Sequence, residues 1–187
     1  MRPNDGDVYA DSLLATATNP DSDSPSTFHP TLILLGVRLG IDRITPVYHT
    51  ALAAALELPH CVGIAGGRPA SSHYFIGHQG GQSFFYLDPH STRAALPLNP
   101  SPEDIASCHT RRVRKLGIAE MDPSMLLGFL VRSPEEFEEW RKAVAGFSGK
   151  DRAIIHVHDT EPKYATGPER PGAVDEVEAW ETGDEES

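Results

Sequence analysis

The chain has 187 residues and a formal net charge of −11, long enough for one domain with a real core. The charge sits at the ends: residues 160–187 hold nine acids against two bases, residues 1–26 five against one, and 27–159 are balanced, which argues against a nucleic-acid-binding domain. No run reaches the roughly 18 apolar residues of a membrane-spanning helix, Met1–Asp5 opens no secretory leader, and two cysteines, Cys61 and Cys108, fit a reducing cytoplasm better than a disulfide framework.

Residues 1–26 are rich in Asp, Ser, Pro and Thr and are expected to be mostly disordered, with Tyr9, Leu13 and Leu14 as the anchors of a short docked segment. Thr31–Leu39 is a continuous apolar run of strand length, which predicts a central strand buried on both faces. Thr45-Pro46 reads as an N-cap and first helical position. Val47, Tyr48, Ala51, Leu52, Ala55 and Leu56 then follow at helical spacing, predicting a helix over 45–58. Residues 61–65 read as a strand, 66–72 as a glycine-bearing loop and 73–78 as a strand. Gly80-Gly81 makes a hairpin turn into a strand over 82–87. The loop after 65 is followed by a strand and not by a helix, so a phosphate cradle is disfavoured.

Residues 96–110 read as a polar loop with several prolines. Arg111–Lys115 is a basic run, read either as a solvated edge strand or as a docking patch for an acidic partner. Asp122-Pro123-Ser124-Met125 is expected to be a turn or a capped short helix, and 128–131 a strand. Ser133-Pro134-Glu135-Glu136 carries a capping signature with proline at the first helical position; it opens a helix over 134–145 that turns Phe137, Trp140 and Val144 inward. Residues 153–157 are the last expected strand, and 160–187 an acidic disordered tail.

The chemistry concentrates at Asp88-Pro89-His90. Pro89 ends ladder pairing, and residues two apart in extended backbone share a face. A carboxylate beside an imidazole is the arrangement that orients and charges a catalytic histidine. The alternative is a turn in which Asp88 caps backbone amides and His90 is merely exposed. A metal site built from His73, His78, Asp88 and His90 is a further option, but no HExxH or CxxC spacing supports it, so no metal and no cofactor is expected. His156 and His158 read as surface residues. Neither cysteine has a local helix N-terminus to depress its thiol pKa.

Gly63-Ile64-Ala65-Gly66-Gly67-Arg68-Pro69, Ser72-His73-Tyr74-Phe75-Ile76-Gly77 and Tyr86-Leu87-Asp88-Pro89-His90-Ser91-Thr92 resemble the autophagins, papain-like cysteine peptidases of autophagy. Asp7-Val8-Tyr9, Phe28–Leu34, Arg38–Asp42, Asp122–Met125 and Ile154–Val157 extend the likeness, which is nearest the fungal branch. The resemblance implies an α/β (α+β) fold, half of a papain-like peptidase, with a mostly antiparallel sheet and packed helices over 27–159.

It further implies that Asp88 and His90 are the acidic and basic members of a triad, and that Arg68, Pro69, Ala70 and Ser71 form a mobile loop over the substrate cleft. The implied partner is a ubiquitin-like autophagy modifier, cleaved after a C-terminal glycine and released from its phosphatidylethanolamine conjugate. Membrane contact would come only through that lipidated substrate. The implied location is the cytoplasm, with the nucleus and the pre-autophagosomal structure as further sites. The family places its nucleophile well N-terminal, in a Gly-Trp-Gly-Cys-like segment that is not among these 187 residues. The expectation is therefore a C-terminal portion with negligible activity alone. The rival expectations are a non-catalytic modifier-binding fragment and a chain that does not fold by itself.

Overall fold

The computed structural model describes residues 6–18, 27–147 and 153–162. The acidic tail beyond 162 lies outside them. The segment expected to be mainly linker contributes a strand, β1 (Asp7–Tyr9), and a helix, α1 (Ala10–Ala17). Val8, Ala10 and Ala17 are buried there.

Next come β2 (Thr31–Arg38), a 3₁₀ turn (Pro46–Tyr48), α2 (His49–Glu57), β3 (Cys61–Arg68), β4 (Ser71–Gln79) and β5 (Ser83–Leu87). The helix expected from 45 thus starts as 3₁₀ and becomes α-helical at His49. Thr45 is extended and makes no side-chain cap bond, and Val47 is exposed. β3 and β4 run past the predicted ends and meet at a tight turn on Pro69-Ala70, where Ala70 has φ 64°, so the expected loop over 66–72 is mostly ladder. The Gly80-Gly81 turn forms as the sequence indicates, both residues at positive φ, in a three-residue loop over 80–82 that joins the paired Gln79 and Ser83.

The remaining elements are α3 (Pro102–Ser107), β6 (Arg114–Gly117), a second 3₁₀ turn (Ile118–Glu120), β7 (Ser124–Val131), α4 (Pro134–Ala145) and β8 (His156–His158). α3 corrects the reading of 96–110 as loop throughout. Ser101 accepts from the backbone of Asp104 while the Asp104 carboxylate accepts from the Ser101 backbone. This is a reciprocal cap of the same Ser-Pro-acid kind that the sequence displays at Ser133. β7 begins at Ser124; the turn expected at 122–125 is confined to Asp122, whose carboxylate accepts from the Ser124 N–H.

The main sheet has the order β2-β7-β3-β4-β5-β6, antiparallel at every pairing; β1 and β8 form a separate parallel pair. The order places β2 at an edge, not at the centre. Its burial alternates: Ile33, Leu35 and Val37 are buried and Leu32 and Leu34 are exposed. The apolar run predicts two covered faces, and the described residues cover only one.

That inner face is where the core lies. Ile33 pairs with Phe129 and Leu35 with Leu127; Ile64, Phe75, Phe84 and Leu116 continue the layer across the sheet. α2 packs over β3 and β4, and α4 over β7. Trp140 lies 5.5 Å from the Phe129 ring and 6.0 Å from Phe137, all three fully buried. Among the described residues no helix is long and apolar enough to cross a membrane.

Candidate active site

β5 delivers the site. Tyr86 faces the core and Leu87 the other side; the strand then stops at Asp88, where Pro89 cannot donate to a ladder. The chain turns on Asp88 itself. Its Oδ1 accepts from the backbone N–H of His90 at 3.0 Å and from His90 Nδ1 at 2.7 Å. Its Oδ2 accepts from Arg114 Nη1 at 2.8 Å. The two readings of this tripeptide, turn cap and catalytic pair, are therefore one arrangement: the carboxylate caps the turn and holds the ring.

The electrostatics follow from those donors. The amide and ring N–H of His90, and then the Arg114 guanidinium, hold the Asp88 carboxyl below the ordinary carboxylate range. It stays ionised at neutral pH, so Nδ1 carries the proton that it donates to Oδ1. Nε2 is left to accept one. The His90 side chain is 53% exposed and that of Asp88 23%, so the base is open to an incoming group while the acid is partly shielded.

Arg114 is the functional residue that sequence reasoning missed. It lies in the basic run read as a solvated edge strand, and β6 is an edge strand. Its register, Tyr86 opposite Arg114, lets the guanidinium reach two residues along β5 to Asp88. The available signal was a basic residue on a strand that could pair with β5, and nothing local said which of the four cations would do so.

His73 is buried beneath the pair. Its ring stacks on Tyr86 at 4.1 Å and meets the His90 ring edge-on at 6.1 Å. Neither of its ring nitrogens has a hydrogen-bond partner among the described residues. His73, Asp88 and His90 bring one ligating atom each within 4.8 Å of one another. A cation there would have to displace Arg114 or the His90 hydrogen bond from Asp88. The donor set is already a self-satisfied pair, and the arrangement reads as acid–base machinery. His78 stands apart from this group, 2.9 Å from Glu57.

A groove of about 520 Å³ opens beside Pro89 under the end of the β3–β4 hairpin. Arg68, Ala70 and Ser71 line it, with Gly66, Gly67 and His73. The hairpin is pinched at Gly67, where a Cβ would fall 2.1 Å from the Ser71 carbonyl oxygen. Arg68, Ala70 and Ser71 thus stand at one wall of the groove, which reaches Pro89 on the His90 segment, whereas Pro69 at the hairpin turn does not line it.

Neither thiol meets His90. Cys61 starts β3 at the opposite end of the sheet. Ala65, Tyr74 and Leu87 form one row, with Cys61 four residues below it and His90 three above, a separation on the order of 20 Å at strand rise. Burial pushes the Cys61 thiol up, the wrong direction for a nucleophile. Cys108 follows the C-terminus of α3, where its Sγ donates to the Asp104 carbonyl and is exposed.

A family model described as the peptidase C54 catalytic domain matches residues 1–143. A protein of Sclerotinia sclerotiorum named probable cysteine protease atg4 is 54% identical over 187 residues, covering 97% of this chain and 41% of the relative. One of Pyricularia oryzae named cysteine protease ATG4 is 50% identical, covering 95% and 37%. One of Neurospora crassa named cysteine protease 1 is 50% identical, covering 96% and 35%. The chain spans about two fifths of the length of these curated relatives.

Proposed function

The chain belongs to the peptidase C54 family of cysteine peptidases, and from that premise we propose that it supplies the acid–base half of a thiol-dependent hydrolysis. The carrying observation is the Asp88–His90 hydrogen bond at 2.7 Å, with Arg114 on the other carboxylate oxygen, the ring half-exposed and its neighbour Pro89 lining a groove. His90 Nε2 takes the proton of a thiol brought to it. The thiolate attacks the carbonyl carbon of the scissile glycyl bond. His90 then returns the proton to the nitrogen as the C–N bond breaks. Water, deprotonated by the same imidazole, splits the thioester, releasing the C-terminal carboxylate and restoring the thiol. Asp88 supports the imidazolium that forms twice in this cycle.

The proposed substrate is the ubiquitin-like autophagy modifier, cut after its C-terminal glycine and freed from its phosphatidylethanolamine conjugate by the same amide chemistry. The names of the relatives and the family motifs support that reading, and cytoplasmic location accords with two free cysteines. The thiol comes from polypeptide beyond these residues, so the isolated chain should give negligible turnover. The groove beside Pro89 favours a second reading, capture of the modifier tail without cleavage.

The test is a chimera in which this chain replaces the matched region of the Sclerotinia relative, assayed on the modifier precursor. Turnover that falls by at least a thousandfold in His90→Ala, and strongly in Asp88→Asn, supports the proposal. Full turnover with His90→Ala overturns it. Binding of the precursor without cleavage selects the second reading.

A further inference from the structure

His60 and His73 are the buried polar residues among those described, and of the two it is His73 that meets the Asp88–His90 pair. Its place follows from register. Tyr74 pairs with Leu87 and Phe75 with Tyr86, so one step further along β4 sets His73 level with Asp88. Residues two apart in a strand share a face. His73 therefore follows Phe75, and Asp88 follows Phe84 and Tyr86, on the inner side of the sheet. The His73 ring stacks on Tyr86 at 4.1 Å and lies edge-on to Phe75 at 6.3 Å and to His90 at 6.1 Å.

Packing alone does not ask for an imidazole here. Phe75 and Phe84 fill the same layer with phenyl rings and are fully buried. His73 is 5% exposed, and its two ring nitrogens have no hydrogen-bond partner among the described residues. A buried polar atom left unmatched destabilises a fold, and such atoms nearly always have a partner in the protein or in ordered water.

The complementary shortage lies next to it. An ionised carboxylate offers about four acceptor sites. Asp88 Oδ1 takes two donors, the amide and the ring N–H of His90, and Oδ2 takes one, Arg114. Among the described residues that leaves one site, on Oδ2. A ligating atom of His73 stands within 4.8 Å of one on Asp88 and one on His90, without a direct hydrogen bond. One water at normal hydrogen-bond lengths spans up to about 5.5 Å. His73 also lines the groove beside Pro89, which gives water a way in.

We infer that His73 is a positioning residue for the catalytic pair: a ring N–H donates to a single ordered water, and that water donates to the open site on Asp88 Oδ2. The carboxylate then has four donors, reaching it from β4, from β6 and from its own turn, and is held in the plane in which it receives His90 Nδ1. The inference deepens the peptidase reading and rests on it. It concerns the support of the base, and no proton is transferred to or from His73.

Two substitutions give opposite orders for a donor and for a filler. His73→Gln keeps a side-chain N–H and loses the ring; His73→Phe keeps a ring and loses the N–H. In the chimera with the Sclerotinia relative, kcat on the modifier precursor should fall at least about tenfold with His73→Phe, KM staying within about twofold. With His73→Gln it should stay within about threefold of native. A second measurement uses the 187-residue chain and no peptidase activity. The titratable and charged groups that meet Asp88 are His90, Arg114 and His73. The Asp88 titration, followed by carboxyl carbon NMR, should move up with His73→Phe, which removes a donor to the charged form, and hold its place with His73→Gln. A third needs no substitution: in the native chain the His73 ring proton should show cross-relaxation to a long-lived water.

A native-like His73→Phe beside an impaired His73→Gln overturns the inference and makes His73 a packing residue. A His73 ring proton without such a water also overturns it, and decides the matter even where a variant fails to fold. Turnover lost with His90→Ala but indifferent to both His73 variants keeps the peptidase reading and removes the positioning role. The expected titration order, in a chain whose chimera is indifferent to His90→Ala, keeps the water-held contact and removes the peptidase reading.

Discussion

Leu34 and Leu35 are adjacent, chemically identical and in the same strand, yet one is 51% exposed and the other 2%. Leu35 meets Leu127 on the side that α2 and α4 cover; Leu34 lies over Gly128 on the side that nothing described covers. The two faces of this sheet are alike in composition and opposite in circumstance. The contrast teaches that an apolar residue reports what it is built to meet, whether or not the partner belongs to the same chain.

The largest expected effect separates the faces by stability. Phe129→Ala removes a fully buried ring packed on Trp140 and should cost about 3–5 kcal/mol, enough to unfold a marginal domain. Leu34→Ala should change stability by no more than about 1 kcal/mol, because most of its surface is already in water. Urea denaturation of both variants checks the pair. Equal losses would mean that the bare face is covered in solution.

The next contrast concerns the helices. Ser133 caps α4, which covers the inner face, and accepts from the Glu136 N–H at 3.2 Å. Ser133→Ala should cost about 1 kcal/mol of global stability. Ser101 caps α3 equally well, but α3 buries no residue. Ser101→Ala should therefore speed amide exchange within 102–107 and leave the urea midpoint in place. A matching global loss would show that α3 packs on the core after all.

These two helices also show how much was readable beforehand. The four-residue cap at Ser133 was visible because an inward stripe of Phe137, Trp140 and Val144 followed it. The cap at Ser101 is of the same kind, with Asp104 where the other has Glu136, and no apolar stripe follows it, so periodicity offers nothing to confirm it. β2 failed differently. A run without alternation is the pattern of a strand covered on both sides, and its length and type were right. Its central place was not, because the order of strands depends on pairings far apart in sequence. The site divided in the same way. Asp88 and His90 are two residues apart, so their meeting follows from local backbone geometry; Arg114 joins them across 26 residues, through a register that no local pattern encodes.

The thiols extend the comparison between covered and bare positions. Cys61 is half-buried and its pKa is raised by that burial, only partly offset by a hydrogen bond from the Gly63 backbone. Cys108 is exposed. With a disulfide reagent at pH 8, one thiol per chain should react promptly, and peptide mapping should place it at Cys108. Cys61 should react at least tenfold more slowly until denaturant is added. Prompt labelling of Cys61 would mean that the β3 end of the sheet opens readily.

The smallest effect lies at the rim, where β5 ends and the two faces meet. The Asp88 carboxyl is held below its ordinary value, first by the His90 amide and ring N–H and then by Arg114. A depressed carboxyl contributes stability that is complete above the unfolded value of about 3.9. That contribution is lost as pH falls through the lower, folded value. Arg114→Ala removes the cation and leaves both His90 donors in place. The Asp88 titration, followed by carboxyl carbon NMR, should move up toward the ordinary aspartate range without reaching it, and the pH window of the contribution should narrow from its acid side. An unmoved titration would assign the whole effect to the turn on His90 and reduce Arg114 to an exposed edge residue. A titration that moved all the way would show that the turn opens without the guanidinium, and that the edge strand, distant in sequence, holds the imidazole in place.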